Sequence, residues 1–199
     1  MKIINQFDNN AVEIATDYLN KGKIICFPTD TIYGLAVDAT NEKAVEKLYN
    51  FKNRPKNKPF SIFIRDINIA KKLFVFNNYS LDIAKKFFPG QLTMILKTNN
   101  YAKKILAKNI NNGINDFVGF RIVDSYFVRN LLQKNSKILA VSSANKSFED
   151  PCLSAFAIKQ NLQGIDLLIV GKKTSGIAST IIKIDGDSLS VIRNGKLKF

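Results

Sequence analysis

The 199-residue chain contains no histidine. That removes Ser-His-Asp and Cys-His nucleophile chemistry, HExxH zinc sites and any imidazole general base. Cysteine is scarce too: Cys26 and Cys152 form no CxxC pair and, without histidine, build no four-ligand zinc site. Two lone thiols point to a reducing compartment. No apolar run approaches the ~18 residues of a membrane span, and residues 1–8 lack the apolar segment of a signal peptide. A soluble, cytoplasmic protein with no membrane partner is expected. The usual phosphate signatures are also missing. No GxGxxG follows a strand, and Gly171-Lys172-Lys173-Thr174 lacks the earlier glycine of a Walker A loop. Any chemistry here rests on positioning, cations, hydroxyls and a metal, if one is bound.

Positive charge is what the chain has in excess. Lys and Arg number 30 against 16 Asp and Glu, a formal net charge of +14. A polyanionic partner, either nucleotide or RNA, fits this balance. So does a solvated lysine surface in a chain rich in Lys, Asn and Ile.

The length suits a single domain over residues 1–199. Along it, strand and helix patterns alternate. Asn10 with Glu13 reads as a capping box before a helix carrying Ala11, Val12, Ala15, Tyr18 and Leu19 on one face. Asn41 is placed to cap a second helix with Ala44, Val45, Leu48 and Phe51 inward. Further helices are predicted over 66–74, 80–87, from Asp124 through Leu132, and over 154–162. Strands are predicted over 23–27, 60–64, 91–96, 117–122, 138–143, 167–170, 180–184 and 189–193, the last pair joined by a turn at 185–188. Residues 99–116 read as a polar, irregular loop. The pattern predicts an α/β fold with a twisted mixed parallel/antiparallel sheet flanked by helices.

Binding residues in such folds sit in loops beyond strand ends. Four loops are unusual. FPTDTIYGL (27–35) runs from a strand into a turn rich in hydroxyls. Lys52, Arg54, Lys56 and Lys58 alternate through a loop stiffened by Pro55 and Pro59, which suits an anion. Ser142-Ser143-Ala144-Asn145 closes a strand, and Ser179-Thr180 precedes Arg193-Asn194-Gly195 at the end. Taken singly, each is equally a helix cap, a turn or a solvated loop.

Taken in order, these segments resemble the YrdC family of threonylcarbamoyl-AMP synthases. The match runs through FPTDTIYGL (27–35), the KxR motif as Lys52-Asn53-Arg54, FFPGQLTMIL (87–96), VGFRI (118–122), the SxN motif as Ser143-Ala144-Asn145, STII (179–182) and IRNG (192–195). It covers nearly the whole chain and looks like the short, single-domain form. Departures are local. Gln91 stands where many members have proline, Val123 and Ser125 where proline and histidine are common, and Phe148 where glycine is frequent.

The resemblance implies a YrdC-like fold and a synthase joining L-threonine, bicarbonate or CO2, and ATP, with Mg2+ accompanying ATP. The product would serve the threonylcarbamoyladenosine modification of tRNA through a separate transferase, with tRNA itself a possible partner. It also implies roles. Lys52 and Arg54 would be catalytic, and Thr31, Arg121, Ser143 and Ser179 would hold threonine. Lys52, Arg54, Lys58, Ser143, Asn145 and Arg193 would bind ATP. No protein metal ligands are expected, since Asp30 is the only acid in the motif loops. Two other readings remain open. One is a non-catalytic RNA-binding protein of the same fold, and the other a carbamoyl transferase with a different acceptor.

Overall fold

The alternating pattern of apolar residues becomes one ten-stranded sheet in the computed structural model, which describes residues 1–111, 113, 116–135, 137–172 and 174–199. The chain runs β1 (Lys2–Asn5), α1 (Ala11–Asn20), β2 (Ile25–Phe27), β3 (Gly34–Asp38), α2 (Glu42–Lys52), β4 (Ser61–Phe63), α3 (Ile67–Leu73) and α4 (Asn78–Phe87). It continues with β5 (Leu92–Lys97), α5 (Asn100–Ile105), a 3-10 turn at Lys108–Ile110, β6 (Phe117–Arg121), α6 (Tyr126–Asn135) and β7 (Leu139–Ser143). It closes with α7 (Ala155–Asn161), β8 (Leu167–Val170), β9 (Thr180–Asp185) and β10 (Ser188–Arg193). The strand order is β1-β8-β2-β3-β7-β4-β6-β5-β9-β10. Pairs β1/β8, β2/β8, β4/β6 and β5/β9 are parallel, and the others antiparallel. This is the mixed, helix-flanked sheet the sequence predicts.

Side chains alternate across a strand, so the sheet presents two faces, each of which can carry a core. On one face Cys26, Leu35, Ile62, Met94, Phe120 and Ile182 meet residues of α2, α3, α4, α5 and α7. On the other, Ile25, Phe27, Ala36, Leu139 and Leu167 meet α1 through Ala11, Ala15 and Leu19, and α6 through Phe127, Val128, Leu131 and Leu132. That second core draws no residue from β5, β6, β9 or β10. Two helices roof half of this face, and the other half is left for a cavity.

Several local expectations change. Asn10 stands at the start of α1, but its side chain makes no capping bond, so the Asn10–Glu13 box does not form. A reciprocal box does form on α4. Asn77 Oδ1 accepts from Ser80 N at 2.8 Å, and Ser80 Oγ accepts from Asn77 N at 3.0 Å. Asn41 caps α2 as expected, accepting from Ala44 N at 3.1 Å. The segment read as loop over 99–116 folds locally: Asn99 caps α5 by accepting from Ala102 N at 2.9 Å, and the 3-10 turn follows. Its Asn112, Ile114 and Asn115 lie outside the described residues, as does Lys173. Strands β1 and β3 were not among the expected elements. Among the described residues, no helix is long and apolar enough to cross a membrane.

Candidate active site

Strand register builds the cavity floor. In one rung Phe63 pairs with Arg121, and Thr93 with Ile181, while Arg193 pairs with Ile181 across the closing hairpin. In the next, Val141 pairs with Ser61, Ile95 with Gly119, and Ile95 with Lys183. All of these line a cavity of about 360 Å³, together with Thr29, Arg54, Phe117, Ser143 and Ser179. Gly119 keeps the floor low. A Cβ there would meet Ser61 Oγ at 2.9 Å, closer than packed atoms tolerate.

At one end stands Arg121, only 3% exposed. Its Nε donates to Gly90 O at 2.9 Å, Nη1 to Thr31 Oγ1 at 2.8 Å and Nη2 to Asp30 Oδ1 at 2.5 Å. A guanidinium has five N–H groups, so one remains on each terminal nitrogen. A guanidinium with an N–H to spare on each terminal nitrogen is suited to a carboxylate. Burial pushes the Asp30 carboxyl up, and the Arg121 charge opposes that rise. The hydroxyl-rich motif is wound around this pair. Thr29 Oγ1 donates to Ile32 O at 2.7 Å, accepts from Thr31 N at 3.1 Å and lies 2.9 Å from Thr31 Oγ1. Gln91, the departure from proline, donates its Nε2 to Asp30 O at 3.0 Å and ties β5 to the same loop.

The basic and SxN loops are knotted together. Lys52, 1% exposed, does not face the cavity. Its Nζ donates to Ser143 O at 2.6 Å, Asn145 O at 2.5 Å and Asn145 Oδ1 at 3.1 Å. Burial, and then the nearby Arg54 charge, lower this ammonium to about 7. Asn145 is consumed in the same knot. Its Oδ1 also accepts from Ser143 Oγ at 2.5 Å, and its Nδ2 donates to Lys146 O and Glu149 O, each at 2.7 Å. Arg54 does face the cavity, braced by Nε to Lys58 O and Nη2 to Pro59 O, each 2.8 Å, with its guanidinium 5.0 Å over the Phe60 ring. Lys58 is exposed, its Nζ 4.4 Å over the Phe148 ring and outside the cavity wall.

Across the floor, Thr93 Oγ1 and Ser179 Oγ are 2.8 Å apart. Arg193 donates Nε and Nη2 to Ser179 O at 3.0 and 2.9 Å, and Nη2 to Ser179 Oγ at 3.1 Å. The structure thus brings Thr31, Arg54, Arg121, Ser143, Ser179 and Arg193 to one cavity, with Lys52 and Asn145 behind its wall. Sequence reasoning missed Thr29, Ser61, Thr93, Phe117 and Lys183. The signal was period-two alternation: Thr93 and Ile95, and Ile181 and Lys183, sit opposite the core-facing residues of their strands. Among the described residues, no group of three or more His, Cys, Asp or Glu is placed to hold a metal ion.

A half-roofed mixed sheet carrying arginines, a lysine and hydroxyls defines an α/β protein with a cavity suited by charge and hydrogen bonds to anionic ligands. A profile of the Sua5_yciO_yrdC family, described as Telomere recombination, matches residues 17–195, and the chain belongs to that family. A Methanocaldococcus jannaschii protein with the provisional name threonylcarbamoyl-AMP synthase is 39% identical, the match covering 98% of this chain and 93% of the relative. The threonylcarbamoyl-AMP synthase of Bacillus subtilis is 29% identical, over 97% of this chain and 56% of its own. The crystal structure of Pyrococcus abyssi Sua5 complexed with L-threonine superposes with a TM-score of 0.91 at 28% identity, over 99% of this chain and 58% of that one. The chain therefore spans little more than half the length of these last two, and nearly all of the first. The resemblance read from the motifs is borne out.

Proposed function

We propose that the cavity makes threonylcarbamoyl-AMP from L-threonine, bicarbonate or CO2, and ATP, the last brought in as its Mg2+ complex. The observation that supports this best is the buried Arg121 fork, set between Thr31 and Asp30 at one end of an otherwise cationic cavity. The threonine amine adds to CO2, giving a carbamate and releasing a proton. A carbamate oxygen then attacks the α-phosphorus of ATP; the new P–O bond forms as the bond from the α-phosphorus to the α,β-bridging oxygen breaks, and pyrophosphate leaves with that oxygen. Neither step requires a protein nucleophile, so a chain without histidine is suited to both.

The protein's share is charge control and alignment. Arg121 takes the threonine carboxylate, with Thr31 and Ser179 as hydroxyl partners. Arg54 and Arg193 offset the repulsion among carboxylate, carbamate and triphosphate. Ser143 faces both substrates. Lys52 and Asn145 act from behind, as positioning residues that fix Ser143. This classes the chain as a nucleotidyltransferase. Its mixed-anhydride product is reactive enough to require prompt transfer to an acceptor, which in this reading is tRNA, reached through a partner transferase.

Incubation with ATP, Mg2+, bicarbonate and L-threonine tests the reading by mass detection of the adenylate and by pyrophosphate release. Arg54→Ala is expected to lower the rate ~10²-fold, the usual scale for an electrostatic stabiliser. RNA binding that weakens with salt, with no adenylate formed, would replace this reading with the binding-protein alternative.

A further inference from the structure

Lys183 has no part in the motifs, yet it lies on the cavity wall. It faces the cavity because β9 alternates: Ile182 and Ile184 enter the core, and Ile181 and Lys183 point the other way. Its Nζ sits 4.1 Å from the centroid of the Phe117 ring and 3.7 Å from Asp185 Oδ2, an exposed and loosely held carboxylate. The ammonium lies against one aromatic ring of a cavity that Ile95, Ile181 and Ile192 also line, and its charge is only partly answered there.

Its place relative to Arg121 is set by register. Arg121 and Lys183 stand on β6 and β9 with β5 between them, one rung apart. Interstrand spacing and rise per residue put them roughly 12 Å apart at the backbone. We infer that Lys183 binds the pyrophosphate end of the triphosphate, at the side of the cavity away from the threonine carboxylate. This rests on the proposed reaction. There, in-line attack at the α-phosphorus drives the leaving group away from the carbamate, and negative charge gathers on the departing oxygens. A cation at that end answers charge that develops only as the bond breaks. In the free protein, the Phe117 ring keeps the ammonium at the wall until an anion arrives.

The test is calorimetric titration of inorganic pyrophosphate and of L-threonine, at fixed ionic strength, into the full chain and its Lys183→Gln and Lys183→Arg variants. Lys183→Gln is expected to lower pyrophosphate affinity roughly tenfold, the scale of one charge-assisted hydrogen bond. Lys183→Arg should hold it near the parent value, and L-threonine affinity should not change. Equal pyrophosphate affinity in the parent and Lys183→Gln would overturn the inference, as would a loss confined to L-threonine. Adenylate formation by the parent in the same preparation keeps the two questions separate. A parent that makes adenylate beside an indifferent Lys183→Gln sinks the role of Lys183 alone. A parent that makes none and binds no pyrophosphate sinks both readings.

Discussion

Arg121 and Asp30 are joined through Nη2 and Oδ1 at 2.5 Å, while the second carboxylate oxygen, Asp30 Oδ2, is buried with no hydrogen-bond partner. The two side chains are 4% and 14% exposed, so water screens the pair little. Removing one member leaves a buried charge unanswered. Asp30→Ala should destabilise the protein by roughly 3 kcal/mol, read as a shift in the urea midpoint. Asp30→Asn, which keeps an acceptor at Oδ1, should cost less. Equal midpoints for the parent and Asp30→Ala would show that Arg121 does not depend on this partner.

Lys52 gives stability a pH dependence. In the fold its ammonium titrates near 7, against 10.5 for a free lysine. Above pH 7 the unfolded chain therefore holds a proton that the native chain has released, and stability rises with pH. Lys52→Met should lack this rise. Urea midpoints compared between pH 6.5 and 7.5 test it, below the pKa of about 8.5 of free cysteine. Parallel slopes for both proteins would mean that Lys52 stays charged throughout.

Gly119 and Ser61 form a steric pair across β4 and β6. Gly119→Ala brings a methyl group against Ser61 Oγ and should cost roughly 1–3 kcal/mol, the range for an overfilled site. Adding Ser61→Ala should restore most of the stability but not substrate binding, because the methyl still raises the cavity floor. A double-mutant cycle on stability, set beside ligand titration, separates the two effects.

Phe148 adopts φ 73 in the left-handed region and is 81% exposed. A side chain there costs ~1 kcal/mol or more that glycine avoids. Phe148→Ala loses the contact with Lys58 and keeps the strain, whereas Phe148→Gly loses the contact and relieves it. The glycine variant should melt above the alanine variant by a few degrees, the reverse of the usual order. An alanine variant that melts higher would place the strain elsewhere.

Much of this arrangement could be read from the residues. The helices α2 and α6 announce themselves through apolar spacing and, for α2, the Asn41 cap. Strand β3 does not, because Gly34–Asp38 is buried along its whole length and so shows no alternation. The cavity-facing motif residues could be named from their loops. The position of Lys52 could not: its contacts with Ser143 and Asn145 cross 91 and 93 residues of sequence. A basic residue in a basic loop gives no sign that its charge is spent inside the protein. Lys183 was hidden for the opposite reason, as a single charged residue inside the expected strand 180–184, outside every motif.

The half-roofed face makes substrate a part of the architecture. Where α1 and α6 stop, a third helix would ordinarily finish the layer with apolar area. In the proposed reaction, anionic substrates finish it with charge. Occupancy should then do what a missing helix would do, clamping β5, β6 and β9 and raising the melting temperature. That added rigidity should fade with salt in a way that helix packing does not, because ions compete for the arginines and leave apolar contacts alone. On this view the empty and loaded protein differ in how many layers they have, and chemistry begins when the last layer is in place.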